Sequence, residues 1–245
     1  MTNRRIGIRL LFGVAMVALA GLAVFGQLAL KAHRPASAPA LAEGVLATLG
    51  GLRSLAAEIV WFRADRLQDE GRYVEMAQLA SVLTFLEPHT PEVWSYAAWN
   101  LAYNISVMMP DDESRWRWVE ASIVLLRDNG LKLNPRSREL LRELAWLFEL
   151  KIGLNLDAAA PTYRRIWREK VEDVRRRGAW GELGMDPGEM ARIEQATGFD
   201  DWGDPFLSAI YWAAKGGHRD IVEQSARLYR KNHSPGGTPS SGSSK

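Results

Sequence analysis

The 245 residues, 47% hydrophobic and 24% charged, suffice for one or two packed domains and exclude a chain disordered throughout. A net charge of +2 from near-balanced acids and bases gives no basis for a polyanionic partner of the whole chain. The absence of cysteine excludes disulfides, thiolate metal sites and a cysteine nucleophile; ten tryptophans, most of them beside leucine and alanine, point to an aromatic-rich core.

In chain order, residues 1–9 form a basic flank with Arg4, Arg5 and Arg9, and residues 10–30, LLFGVAMVALAGLAVFGQLAL, carry no charge. At the α-helical rise this run spans about 30 Å, the thickness of a bilayer core, so a single transmembrane helix is predicted. The arginines before it favour a cytoplasmic N-terminus and a C-terminal body outside the cytoplasm. Ala36-Ser37-Ala38 resembles a signal-peptide cleavage site, but the apolar run is long for a signal core, and Lys31, Arg34 and Pro39 surround the site. A retained anchor is the better reading. Residues 31–45 contain HRPASAPALA, a composition that predicts an extended linker.

Residues 46–178 read as a series of helices. Leu55, Ile59, Phe62, Ala64 and Leu67 form a helical stripe ended by Gly71, and Val74, Ala77, Ala80, Leu83 and Leu86 form a second, stopped by Glu87-Pro88. Thr90 and Pro91 read as a cap and a first helical position for a helix reaching about Ser106. After Met109-Pro110-Asp111-Asp112 a helix with Trp116, Val119, Ile123 and Leu126 inward is expected. Ser137 to Leu150 follows, and then a basic helix from Ala160-Pro161 to Arg177, closed by Gly178. Its arginines alternate with Glu169, Glu172 and Asp173, the pattern of a solvated, ion-paired face rather than a nucleic-acid surface.

Residues 179–231 form a C-terminal helical cap, with Asp186-Pro187 and Asp204-Pro205 each opening a helix. The stretch AIYWAAKGGHRDIV, Ala209 to Val222, is similar to the helix-turn-helix of an ankyrin repeat; a lone copy serves better as a terminal helical pair. Residues 232–245 are a low-complexity tail predicted to be disordered. No strand-like alternation interrupts the body, and the expected fold class is all-α.

Two segments match when laid side by side: EPHTPEVWSYAAWNL from Glu87 and NPRSRELLRELAWLF from Asn134, in register at Pro88 and Pro135. Ala98-Trp99 and Ala145-Trp146 coincide, and 34 residues before Ala98 stands Ala64, with Leu67 where Leu101 and Phe148 stand. The pattern resembles a divergent tetratricopeptide repeat, whose signature W-x2-L-G-x2-Y is followed by alanine, a large apolar residue and proline. Trp94, Ala97, Ala98 and Leu101 occupy those places in the middle copy, and Leu141, Leu144, Ala145 and Phe148 in the last. The first copy supplies Val60, Ala64, Leu67, Gly71, Tyr73, Ala77, Ala80 and Pro88, and it alone keeps the 34-residue length.

The resemblance implies a solenoid of helical hairpins behind the membrane helix, with a groove that holds an extended peptide or a partner's helix. Its lining transfers to Trp61, Asp65, Trp99, Tyr103, Arg142 and Trp146. Lysines and asparagines that clamp a terminal carboxylate in some family members are replaced here by aromatic and acidic residues. The competing reading of these tryptophans is helix-to-helix packing.

Nothing in the sequence calls for chemistry. The four histidines stand singly, without a metal-ligand partner at i+3 or i+4, and Asp200, Asp201 and Asp204 suit capping better than a calcium loop. No phosphate-cradling or nucleophile-elbow motif is present. The expectation is therefore a membrane-tethered scaffold binding a protein or peptide, with no catalytic residues, cofactor, metal, nucleic acid or small-molecule substrate. The alternatives are a structural subunit without groove binding and an enzyme with its site between Gly181 and Tyr229.

Overall fold

The computed structural model describes residues 38–234. The predicted membrane span 10–30, the first part of the linker and the tail from residue 235 lie outside them. Among the described residues the chain is all-helical, and none of its helices is long and apolar enough to cross a membrane.

Helix α1 spans Ala38–Asp69 and enters a compact unit that begins at Ser54. It starts inside the segment predicted as an extended linker. The reason is local: Pro39 fits a first helical turn, and Ala40, Leu41, Ala42 and Glu43 behind it are strong helix formers. Helix α2 is Tyr73–Leu86. Helix α3, Pro91–Trp99, continues as a π-helical turn over Asn100–Ile105. Helix α4, Asp112–Val124, continues likewise over Leu125–Gly130, and α5, Arg138–Trp146, over Leu147–Gly153. Helices α6, Ala160–Arg177, α7, Pro187–Thr197, α8, Pro205–Gly216, and α9, Arg219–His233, complete the order.

The ends of these helices are set by residues whose side chains or backbone replace the lost intrahelical bonds. Asp111, Ser137, Asp186 and Asp204 each accept a hydrogen bond from a backbone amide of the helix they precede. Thr90, expected to cap α3, makes no such bond, and Pro91 starts that helix by its fixed φ alone. Gly178 ends α6 at φ 65°, a left-handed conformation that a side chain would oppose.

Packing follows chain order. Ala57, Ala64 and Leu67 of α1 meet Leu83 and Met76 of α2, and α2 packs on α3. Helices α3, α5 and α8 contact one another in that sequence, as α4 does α6. The matched segments meet at one atom: the Pro88 carbonyl accepts from Trp94 Nε1 and from Asn134 Nδ2, both at 2.9 Å. The main core runs from Trp94 to Tyr229 and encloses Trp94, Trp116, Trp167, Trp202 and Trp212. Half of the tryptophans therefore do pack helix against helix.

Helix α8 is the central element, with Pro205 through Ala213 all buried. Its Phe206 lies so near Gly153 that a Cβ there would stand 2.7 Å from the ring. Gly153→Ala is expected to destabilise the fold by about 1–3 kcal/mol, because Phe206 is itself enclosed. Thermal unfolding followed by circular dichroism reads the loss, and adding Phe206→Leu should recover part of it.

Candidate functional site

The six residues predicted to line a groove fall on α1, α3 with its π turn, and α5. On each leading helix an alanine faces the neighbouring helix and the next residue turns outward, since successive helical residues point about 100° apart. Ala64, Ala98 and Ala145 are at most 2% exposed. Asp65, Trp99 and Trp146, which follow them, are exposed.

Ring contacts within this set, and longer-range electrostatics between its members, relate these residues. The Trp61 ring meets Tyr96 edge-on at 4.8 Å between centroids, and Asp65 bears electrostatically on the same tyrosine. Tyr96, Trp99 and Tyr103 recur at helical spacing on α3, and the Trp99 and Tyr103 rings stack at 6.0 Å. Tyr103 senses Glu143 of α5, and beside Glu143 the Arg142 guanidinium lies 4.8 Å from the Trp146 ring centroid.

The tyrosines of the face are held neutral. Burial, reinforced by Asp65, pushes Tyr96 up to about 12; burial, reinforced by Glu143, does the same to Tyr103. Burial also raises the Glu143 carboxyl, against the opposing pull of Arg142. Tyr96 Oη and Arg142 Nε are buried without a hydrogen-bond partner among the described residues.

Beneath the face lies a cluster that sequence reasoning missed. Lys151, 3% exposed, approaches the Tyr103 ring at 5.0 Å and donates to Asp157 Oδ2 at 2.5 Å. Asp157 also accepts from Tyr163 Oη at 3.1 Å and from the Ala159 amide at 3.0 Å, with Arg115 at 3.7 Å. Burial opposes the charge on Asp157, but these donors outweigh it and hold the carboxyl below its usual range. Lys151 and Asp157 lie six residues apart across a turn, a spacing with no sequence signature.

A second tie joins α8 and α9 to α5. Glu149, buried on the π turn, accepts from Gln224 at 2.7 Å and from Ser225, while Arg138 donates to the Gly216 carbonyl at 2.9 Å. Of the acidic triplet, Asp204 caps α8, as expected, and Asp201 instead pairs with Arg168 through two bonds of 2.9 Å. The basic helix α6 is ion-paired along its length, to Glu113 and Glu120 of α4 among others. Comparison with protein-family models, curated proteins and solved structures returned no match.

Removing the Asp157 carboxylate alone leaves Lys151 buried without its counter-ion, a defect worth about 3–5 kcal/mol. Asp157→Asn should therefore lower the unfolding temperature markedly at neutral pH. Because the folded pKa is depressed, the stabilisation is complete above the unfolded value of about 3.8 and is lost as pH falls through the folded pKa. Unfolding temperatures below that pH should accordingly fall less in Asp157→Asn than in wild type.

Proposed function

We propose that the chain is a membrane-tethered helical-repeat adaptor, its body outside the cytoplasm, that docks a protein or peptide along the aromatic face of its leading helices. The observation that carries this reading is the exposure of Trp99 and Trp146, 42% and 37%, in a molecule that encloses five other tryptophans. Keeping large indoles in water is unfavourable unless a partner covers them. Tryptophan, tyrosine and arginine are also the side chains that dominate binding energy at protein interfaces. Arg142 over Trp146 and Trp99 on Tyr103 supply these types, with Trp61 and Asp65 extending the row.

The resemblance to tetratricopeptide repeats supports the same reading, since helix pairs that contact their neighbours in chain order are what a short solenoid requires. The leading helices would then form the inner surface. An uncharged run of 21 residues at 10–30 supports the tether. No catalytic step is proposed.

A displayed peptide library selected against the full-length protein in detergent tests the reading. Trp99→Ala and Trp146→Ala are each expected to weaken selected peptides by about tenfold or more. Charge reversal by Asp65→Lys or Arg142→Glu should do likewise with helicity unchanged. Peptides that bind all four variants as they bind wild type would reject the groove and favour a structural subunit.

A further inference from the structure

The ends of the helical array differ in chemistry. At the C-terminal end, α9 turns Ile221, Ala226 and Tyr229 inward and presents Arg219, Glu223, Arg227 and Arg230 to solvent. At the N-terminal end, α1 turns Ala57, Ala64 and Leu67 inward, and its opposite face carries Leu55, Ile59 and Phe62, 51%, 64% and 75% exposed. Their spacing, i, i+4 and i+7, makes one continuous stripe. Helix α2 repeats the arrangement, with Met76, Ala80 and Leu83 inward and Val74 and Val82 outward, 54% and 41% exposed. A terminal repeat facing water needs a polar outer side. Only α9 has one.

We propose that the outer face of the α1–α2 pair rests on a lipid bilayer, the one entered by Leu10–Leu30. The inference rests on the membrane-anchored reading of that run. The stripe lies on the helix through which the chain arrives from it: seven residues, 31–37, separate the run from the start of α1. Covalent geometry limits those residues to about 25 Å, and the helical rise adds about 25 Å more to Leu55. The bilayer is therefore within reach of every copy at any protein concentration, which a second copy is not. Arg63 and Arg66 are exposed beside Phe62; such side chains lay their stems along apolar surface and reach lipid phosphates. Arg66 also pairs with Glu70 at 2.9 Å, an exposed contact that lipid phosphate can replace. Faces of this kind settle at the boundary between headgroups and acyl chains.

The absence of cysteine makes the test direct. Full-length Ile59→Cys, Phe62→Cys, Val82→Cys and, as reference, Glu223→Cys are labelled with an environment-sensitive dye. Each is reconstituted in vesicles of phosphatidylcholine and phosphatidylglycerol carrying doxyl-lipid. Blue-shifted emission, quenched at positions 59, 62 and 82 but not at 223, and more by shallow than by deep doxyl groups, is the expected result. Emission at all four positions alike and unquenched overturns the proposal. So does a lack of lipid quenching combined with disulfide formation between copies at position 62, which assigns the face to a second copy. Flotation after alkaline carbonate reports the anchor separately: protein that floats but is not quenched overturns only this inference, while protein that fails to float overturns the anchor and the inference with it.

Discussion

The buried Lys151–Asp157 pair fixes the middle of this molecule. Two charges removed from water are costly, and they persist only where other donors complete the carboxylate's shell. Here the shell comes from three places in the chain: Arg115 at the start of α4, the amide of Ala159 before α6, and Tyr163 within α6. The ammonium also faces Tyr103, on the π turn that follows α3. One ion pair therefore sets the spacing of α3, α4, α5 and α6 at their shared end. Close packing also positions those helices, and to it the ion pair adds directional contacts that hydrophobic burial lacks.

The same constraint reaches the candidate site. Tyr103 belongs to the row of aromatic side chains, and its ring is seated on Lys151. The same ring stacks with Trp99 and is influenced electrostatically by Glu143. The π turns contribute in a related way. A turn closed by i→i+5 bonds is wider than an α turn, so the side chains it carries depart from simple α periodicity. Such turns follow α3 and α5 where the face is built, and on the second of them Glu149 and Lys151 both point into the protein.

Much of this was legible in the sequence because it depends on neighbours in the chain. Gly178 and the Asp-Pro pairs marked helix ends correctly, since capping and φ preference are local. The Ala-Trp register at 98–99 and 145–146 was legible too, because a small residue that admits a neighbouring helix must be followed by one that points elsewhere. The Lys151–Asp157 cluster was not: a lysine and an aspartate across a turn look like surface residues until the turn closes. Nor were the π turns, which depend on how packed neighbours satisfy carbonyls. The start of α1 at Ala38 is not legible in composition, where proline and serine stand beside helix-forming alanines. Thr90 shows the converse, a cap residue in the right place whose side chain makes no cap bond.

Stability is distributed unevenly along the chain. Helices α3 to α9 share one continuous core, whereas α1 and α2 are held by two small clusters: Ala57 with Leu83 and Val93, and Ala64 with Leu67 and Met76. An end held by few buried side chains opens at lower free-energy cost than the centre. The row of candidate residues crosses this division, with Trp61 and Asp65 on α1 and the remainder on α3 and α5. A ligand that contacts both sides binds the closed arrangement in preference to the open one, and it stabilises α1 by that difference in affinity. Any cover over the outer stripe of Leu55, Ile59 and Phe62 acts on the same helix from the opposite side. The two contacts are coupled only to the extent that each binds the closed arrangement better than the open one.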